Sequence, residues 1–328
     1  MNLAAAAFAL ALAGGAAAQE KLVVYTYDSF VTEWGPAPKI EANFEAICGC
    51  DLEIVAAGDG AALLGRVQLE GAGTEADIVL GLDSNLVAAA AETGLFAPHG
   101  LTPETDTPGG WADPLFLPYD WGWFAFVHDK TRLPEAPTSF EALIAAPEEV
   151  TIVIQDPRSS SPGLGLLLWV KAAYGDRAPE IWEALAPRIV TVTKGWWEAY
   201  SMFLEGEAMM ALSYTTSPAY HAIAEGDDTK AAAMFEEGHY MQVEVAGVLK
   251  GTDQPELAAR FMAFMLEEGF QSVIPETNWM YPAKTPPGGL PEGFAALPVP
   301  AKTLAFPPEE ARTMREEALA EWLEALSR

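Results

Sequence analysis

Apolar, strand-like runs alternate with helix-like runs along nearly the whole chain. LVVYTY (22–27) is rich in β-branched and aromatic residues and stops at Asp28-Ser29; a helix is predicted over 39–47, after Pro38. DLEIVAAG (51–58) predicts the next strand and 61–69 a helix behind Asp59-Gly60. ADIVLGL (76–82) predicts a third strand, and 85–94 a helix with a glycine stop. A Pro- and Gly-rich stretch over 98–118 breaks the alternation. It resumes with a long strand over 119–129 and strands over 150–157, 189–195, 209–216 and 240–249. Helices are predicted to open near Pro162, to run amphipathically over 255–274, and to close the chain over 308–326.

This alternation predicts an α/β fold whose sheets are mostly parallel and flanked by helices. A single core stops growing near ~250–300 residues, and the chain has 328. Two lobes are therefore expected, joined by strands near 119–125 and 240–247, with a ligand cleft between them. The expected division gives 19–121 and 243–296 to one lobe, and 122–242 and 297–328 to the other. Ligands of such sheets sit beyond the carboxyl ends of strands. Tyr27, Asp28, Asp59, Gly60 and Asp83 fall at those ends.

Charge narrows the choice of ligand. The 47 acidic residues outnumber 18 basic ones, for a formal charge of −29, which argues against nucleic acid and its phosphates. Such a field concentrates cations near a cleft and weakens with salt. Residues 1–18 carry no charged side chain and end in small residues, which predicts an export signal peptide, although no Lys or Arg stands near its start. Beyond Gln19 no apolar run reaches the ~18 residues that span a bilayer. Cys48 and Cys50 are the two cysteines. An exported chain meets an oxidising compartment; whether this pair is bridged stays open, and a bridge over one residue would be local. The four histidines are scattered, and no metal site is predicted.

Candidate chemistry lies in four aromatic segments placed where the chain leaves strands: VVYTYDSFVTEWGP (23–36), TKGWWEAY (193–200), LSYTTSPAYH (212–221) and ETNWMYP (276–282). Any single ring is explained by core packing. Their shared placement points instead to a flat, cationic ligand held by Tyr27, Trp34, Trp196, Tyr214, Tyr220 and Trp279, with Trp197 an alternative to Trp196. The strand-ending acids Asp28, Asp59 and Asp83 are candidates to pair with that cation, or are simple turn residues. DPRSSSPGLG (156–165) is either an anion or hydroxyl site at a helix start or ordinary capping by Ser161 ahead of Pro162. Lys194 is a candidate phosphate contact or a surface lysine. With no Gly-x-Ser-x-Gly elbow and no His-Glu-x-x-His, a binding protein is expected rather than an enzyme.

The segments YTYDSF, WGP, ADIVLGLD, IQDPRSSSPGLGLLLW, TVTKGW, LSYTTSPAYH, EGHYMQVEVA and NWMYP follow one another in this order. At these motifs the chain resembles the periplasmic thiamine-binding proteins of bacterial ABC importers, over nearly all of its length after the leader. The resemblance implies a two-lobed periplasmic-binding-protein fold located in the periplasm; a monomer without a cofactor is expected. Such a protein captures thiamine, or thiamine phosphates, and delivers it to an inner-membrane ABC permease. It places ligand-binding aromatics at Tyr27, Trp34, Trp196, Tyr214, Tyr220 and Trp279, and polar contacts at Asp59, Gly60 and Ser161. Two departures stand out: TKGWW carries a second tryptophan, and YDWGWF has tryptophans where tyrosines are expected. The alternatives are another organic cation such as a polyamine, or a thiamine-degrading enzyme using Cys48 or Cys50 as nucleophile.

Overall fold

A computed structural model describes residues 19–327. The predicted export signal, 1–18, lies outside the described residues. β1 (Lys21–Thr26), α1 (Ala37–Cys48), β2 (Asp51–Ala56), α2 (Gly60–Glu70), β3 (Ile78–Asp83) and α3 (Val87–Glu92) repeat the predicted alternation. The short β4 (Phe96–Ala97) precedes the irregular stretch, and β5 (Phe116–Asp129) starts earlier than predicted. A second series holds α4 (Phe140–Ala145), β6 (Ile152–Gln155), α5 (Ser161–Tyr174), α6 (Ala178–Leu185) and β7 (Ile189–Thr193). It ends with α7 (Trp196–Leu204), β8 (Met210–Tyr214), α8 (Pro218–Tyr220) and a π-type turn over His221–Glu225. There follow β9 (Lys230–Ala232), β10 (His239–Leu249), α9 (Pro255–Phe264), α10 (Glu268–Gln271) and α11 (Ile274–Thr277). β11 (Tyr281–Pro282), β12 (Thr303–Leu304) and α12 (Pro308–Leu326) complete the chain.

The main strand order is β2-β1-β3-β10-β5-β8-β6-β7. β2, β1 and β3 run parallel, as do β8, β6 and β7, so each end of this order is a βα-built parallel group. Between them β10 and β5 run antiparallel to each other and to the neighbouring β3 and β8. β5 pairs with β10 through residues 116–123 and with β8 through residues 124–128, so one strand serves both groups. The fold is a two-lobed α/β architecture, parallel within each group and antiparallel where the chain crosses between them. β3 is buried at every position and β5 at nearly every one, which is why both read as continuous apolar runs.

One predicted element is broken. The helix expected over 255–274 is three pieces, α9, α10 and α11, with Glu267 extended between the first two (φ −95°, ψ 163°). Phe264 and Phe270 both enter the core beneath α1, with ring centroids 6.0 Å apart. Six positions along one helix would turn these rings to different faces. The break lets both be buried. On the far side, α5 is apolar all round and is clamped to α12 by Lys171, whose Nζ reaches Glu317 at 2.8 Å and Glu321 at 2.7 Å.

Candidate functional site

Strand ends from both parallel groups meet at one cavity. Tyr27 follows β1, Asp59 caps α2 behind β2, Trp196 opens α7 behind β7, and Tyr214 ends β8; all four line it. Ser161, Trp34 and Trp279 complete the predicted set at this cavity, which measures about 60 Å³. A second space of about 320 Å³ shares Trp34, Trp196 and Trp279 with it and adds Trp197 and Tyr220. That second space alone reaches the lower end of the ~300–1,000 Å³ usual for small-molecule sites.

The outer part is a wall of rings. Trp34 and Trp197 meet at 4.9 Å between centroids and remain roughly half exposed. Trp196 stacks on Tyr200 at 5.1 Å and donates from Nε1 to Ser213 Oγ at 2.8 Å. Tyr220 meets Trp279 edge to face at 5.4 Å. The Trp279 backbone has φ +57°, the one non-glycine among the described residues in the left-handed region. It occupies the place after α11 that glycine usually fills, its N–H donating to Ile274 O at 3.0 Å. That conformation costs about 1–2 kcal/mol and aims the indole into the cleft.

Behind the wall, Tyr200 Oη and His221 Nε2 are 2.9 Å apart, and His221 Nδ1 lies 2.7 Å from Glu225 Oε2. Tyr220 Oη donates to the other Glu225 oxygen at 2.9 Å. This network fixes two rings of the wall from behind. His221, Glu225 and Asp227 also bring metal-ligand atoms within 4.8 Å of one another, but both His221 nitrogens already have these partners.

The floor is acidic and buried. Glu244 Oε2 accepts from Tyr119 Oη at 2.5 Å and Tyr27 Oη at 2.9 Å, and Oε1 accepts from Gln242 Nε2 at 3.0 Å. Asn278 Nδ2 bridges Tyr27 Oη at 2.9 Å and Asp120 Oδ2 at 2.7 Å. Burial pushes the Glu244 carboxyl up to about 7, against the hydrogen bonds from Tyr119 and Tyr27 that favour its ionised form. Burial likewise lifts Asp59 to about 6 and raises Asp83. Gly81, with φ +105°, leaves no room for a Cβ because the Tyr27 ring lies directly on it.

The remaining predicted residues sit around this core. Asp83 is fully buried and accepts from Ser161 Oγ, so it holds Ser161 rather than facing the cavity. Ser161 is the first residue of α5, and its hydroxyl does not cap that helix; Ser160 stands at the cap position. Gly60 does not line the cavity. A Cβ there would fall well inside contact distance of Ser161 Oγ, so Gly60 permits the first turns of α2 and α5 to meet. Asp59 Oδ1 accepts from Gly60 N–H at 2.7 Å, and Oδ2 from Trp196 N–H at 3.2 Å. Asp28 and Lys194 line a side space of about 110 Å³, where Lys194 pairs with Glu198 at 3.3 Å.

A model of the bacterial extracellular solute-binding proteins matches residues 25–272. The chain belongs to that family. Among its solute-binding relatives, the thiamine-binding periplasmic protein of Salmonella typhimurium is 50% identical over 320 residues, 97% of each chain. That of Escherichia coli is 51% identical over 312 residues, 95% of each. A solved periplasmic thiamin binding protein superposes with a TM-score of 0.92 at 50% identity, covering 94% of this chain and 97% of its own.

Within this solute-binding fold, Cys48 and Cys50 form a disulfide at the end of α1 and line none of the three spaces. The degradative alternative required one of them as a free thiol in the cleft. Sequence reasoning missed Glu244, Asp120, Asn278 and Ser217. The available signal was a lone acid inside each of two apolar strand runs, YMQVEVAG and LPYDWGW, where a buried charge demands a partner.

Proposed function

We infer that the protein captures thiamine outside the cytoplasm, in the periplasm, and delivers it to the membrane permease of an ABC importer. The observation that carries this reading is a ring-walled cleft over buried Glu244 and Asp120, neither of which is ion-paired with a Lys, Arg or His among the described residues. The near-full-length likeness to thiamine-binding periplasmic proteins supports it. Thiamine is a flat aminopyrimidine joined to a permanently cationic thiazolium. The rings suit the first by stacking and the second by cation–π attraction, worth ~0.5–2 kcal/mol per contact. The acids add charge complementarity. The meeting helix starts of α2 and α5 beside Ser161 suit the hydroxyethyl arm or a phosphate on it.

Delivery needs no chemistry. A ligand that contacts both groups of strands favours the closed arrangement by its differential affinity, and the closed surface is what a permease reads. The test is tryptophan fluorescence of unfolded and refolded, hence ligand-free, protein titrated with thiamine and, separately, spermidine. A saturable 1:1 change with thiamine alone is expected. A response to spermidine and none to thiamine would overturn the assignment.

A further inference from the structure

Asp120 and Glu244 stand directly opposite each other on the antiparallel strands β5 and β10. Side chains so paired share a face and lie close, and like charges there repel. Both carboxyls are buried, Asp120 completely and Glu244 to 6% exposure. Among the described residues neither is ion-paired with a lysine, arginine or histidine. The groups facing them are Tyr27 beyond β1, Asp83 on β3, Tyr119 on β5, Asp59 at the start of α2, Tyr214 on β8, and the neutral Gln242 and Asn278. The charged ones are all acids. Two adjacent buried carboxylates without a cation cannot both ionise at little cost.

One oxygen shows where the compensation lies. Asp120 Oδ1 is buried and has no hydrogen-bond partner, whereas Oδ2 accepts from Asn278. A proton on Asp120 turns an acceptor into a donor, and the facing Glu244 carboxylate is the neighbour that favours this protonated form. Glu244 is also the member of the pair that lines the cavity, beside Tyr27 and Asn278.

We propose that Asp120 and Glu244 share one proton in the ligand-free protein, and that capture of a fixed organic cation expels it to solvent. This rests on the thiamine reading above. Charge balances: the singly negative pair binds a ligand of charge +1, becomes doubly negative, and releases one H⁺. The pair thereby selects for a ligand that carries its own permanent positive charge. A neutral ring of the same shape offers nothing to offset the second ionisation. Burial raises both carboxyls from their ordinary values, Asp120 further through its carboxylate neighbour.

The linkage has a definite sign. A proton that must leave on binding makes affinity rise with pH, and below the pair's titration the Kd rises about tenfold per unit of falling pH. The test joins two measurements on the ligand-free protein near pH 6.5. Infrared difference spectra read the protonated carboxylic acid; calorimetry in buffers of different ionisation enthalpy counts protons released by thiamine. The expected result is an acid band that thiamine abolishes with release of about one proton, and that shifts in frequency in both D120N and E244Q, where the remaining carboxyl has lost its partner. Circular dichroism checks that each variant folds, and one folded variant suffices. No acid band in the ligand-free protein, or a band that survives bound thiamine, would overturn the exchange while leaving thiamine capture intact. A band lost without proton release would overturn it too, since the proton then stays in the complex. If thiamine does not bind at all, the functional reading fails first and the exchange falls with it.

Discussion

The wall and the floor of the cleft are built from opposite materials. The wall, Trp34, Trp197, Tyr220 and Trp279, is partly exposed, makes ring contacts, and hangs on turns and helix starts. The floor, Glu244, Asp120, Tyr119 and Tyr27, is buried, hydrogen-bonded, and carried by or next to the central strands. A wall of that kind adapts to any flat molecule. A floor of that kind is rigid and discriminates by charge, because an unmatched group there costs its full desolvation. Affinity for flat rings therefore resides in the wall, while the floor supplies most of the selectivity for a cation.

That division can be broken by substitution. Glu244→Gln keeps the shape of the floor and removes its charge; thiamine affinity should fall about 100-fold, since charged hydrogen-bonded partners contribute ~1.5–3 kcal/mol. Calorimetric Kd values check this, and a change under threefold would mean that the floor does not read charge. Gly60→Ala acts between the two regions, where its methyl meets Ser161 Oγ. The methyl forces the first turns of α2 and α5 apart, so affinity should drop about tenfold while chemical denaturation shows a loss of about 1–3 kcal/mol. Lost stability with normal affinity would place the contact outside the closed cleft.

The wall should give the smallest effect. Trp279→Ala and Trp279→Gly both remove the indole, and each should weaken binding about fivefold, within the cation–π range of ~0.5–2 kcal/mol. Their stabilities should differ: glycine relieves the left-handed backbone and alanine does not, leaving the glycine variant about 1 kcal/mol more stable. Thermal unfolding of the two proteins reads that gap. Equal stability would show that the φ of +57° carries no strain.

Much of the wall was legible in sequence because rings beside Gly, Pro, Ser and Thr at strand ends form a local signal. Trp34, Trp197, Tyr220 and Trp279 needed no partner to be noticed, and neither did Tyr27 at the floor. The acid pair of the floor was not legible, because its meaning lies in register: Asp120 and Glu244 matter together only once β5 and β10 pair antiparallel. Gly60 was expected at the ligand, but its reason is a contact with Ser161, 101 positions onward, which no local pattern encodes. The fold followed the same rule. Local βα units and the terminal helix α12 were readable, whereas the break before α10 depends on Phe264 and Phe270 sharing one core.

The most direct test of the division between wall and floor compares thiamine with an analogue in which a thiophene replaces the thiazolium ring. The two share shape and rings but not charge. Calorimetry on the ligand-free protein should give thiamine an affinity at least about 100-fold higher, a gap of ~2.7 kcal/mol, and Glu244→Gln should close most of it. Equal affinity for the two ligands would contradict the account, because the acidic floor would then make no distinction between a cation and its neutral twin.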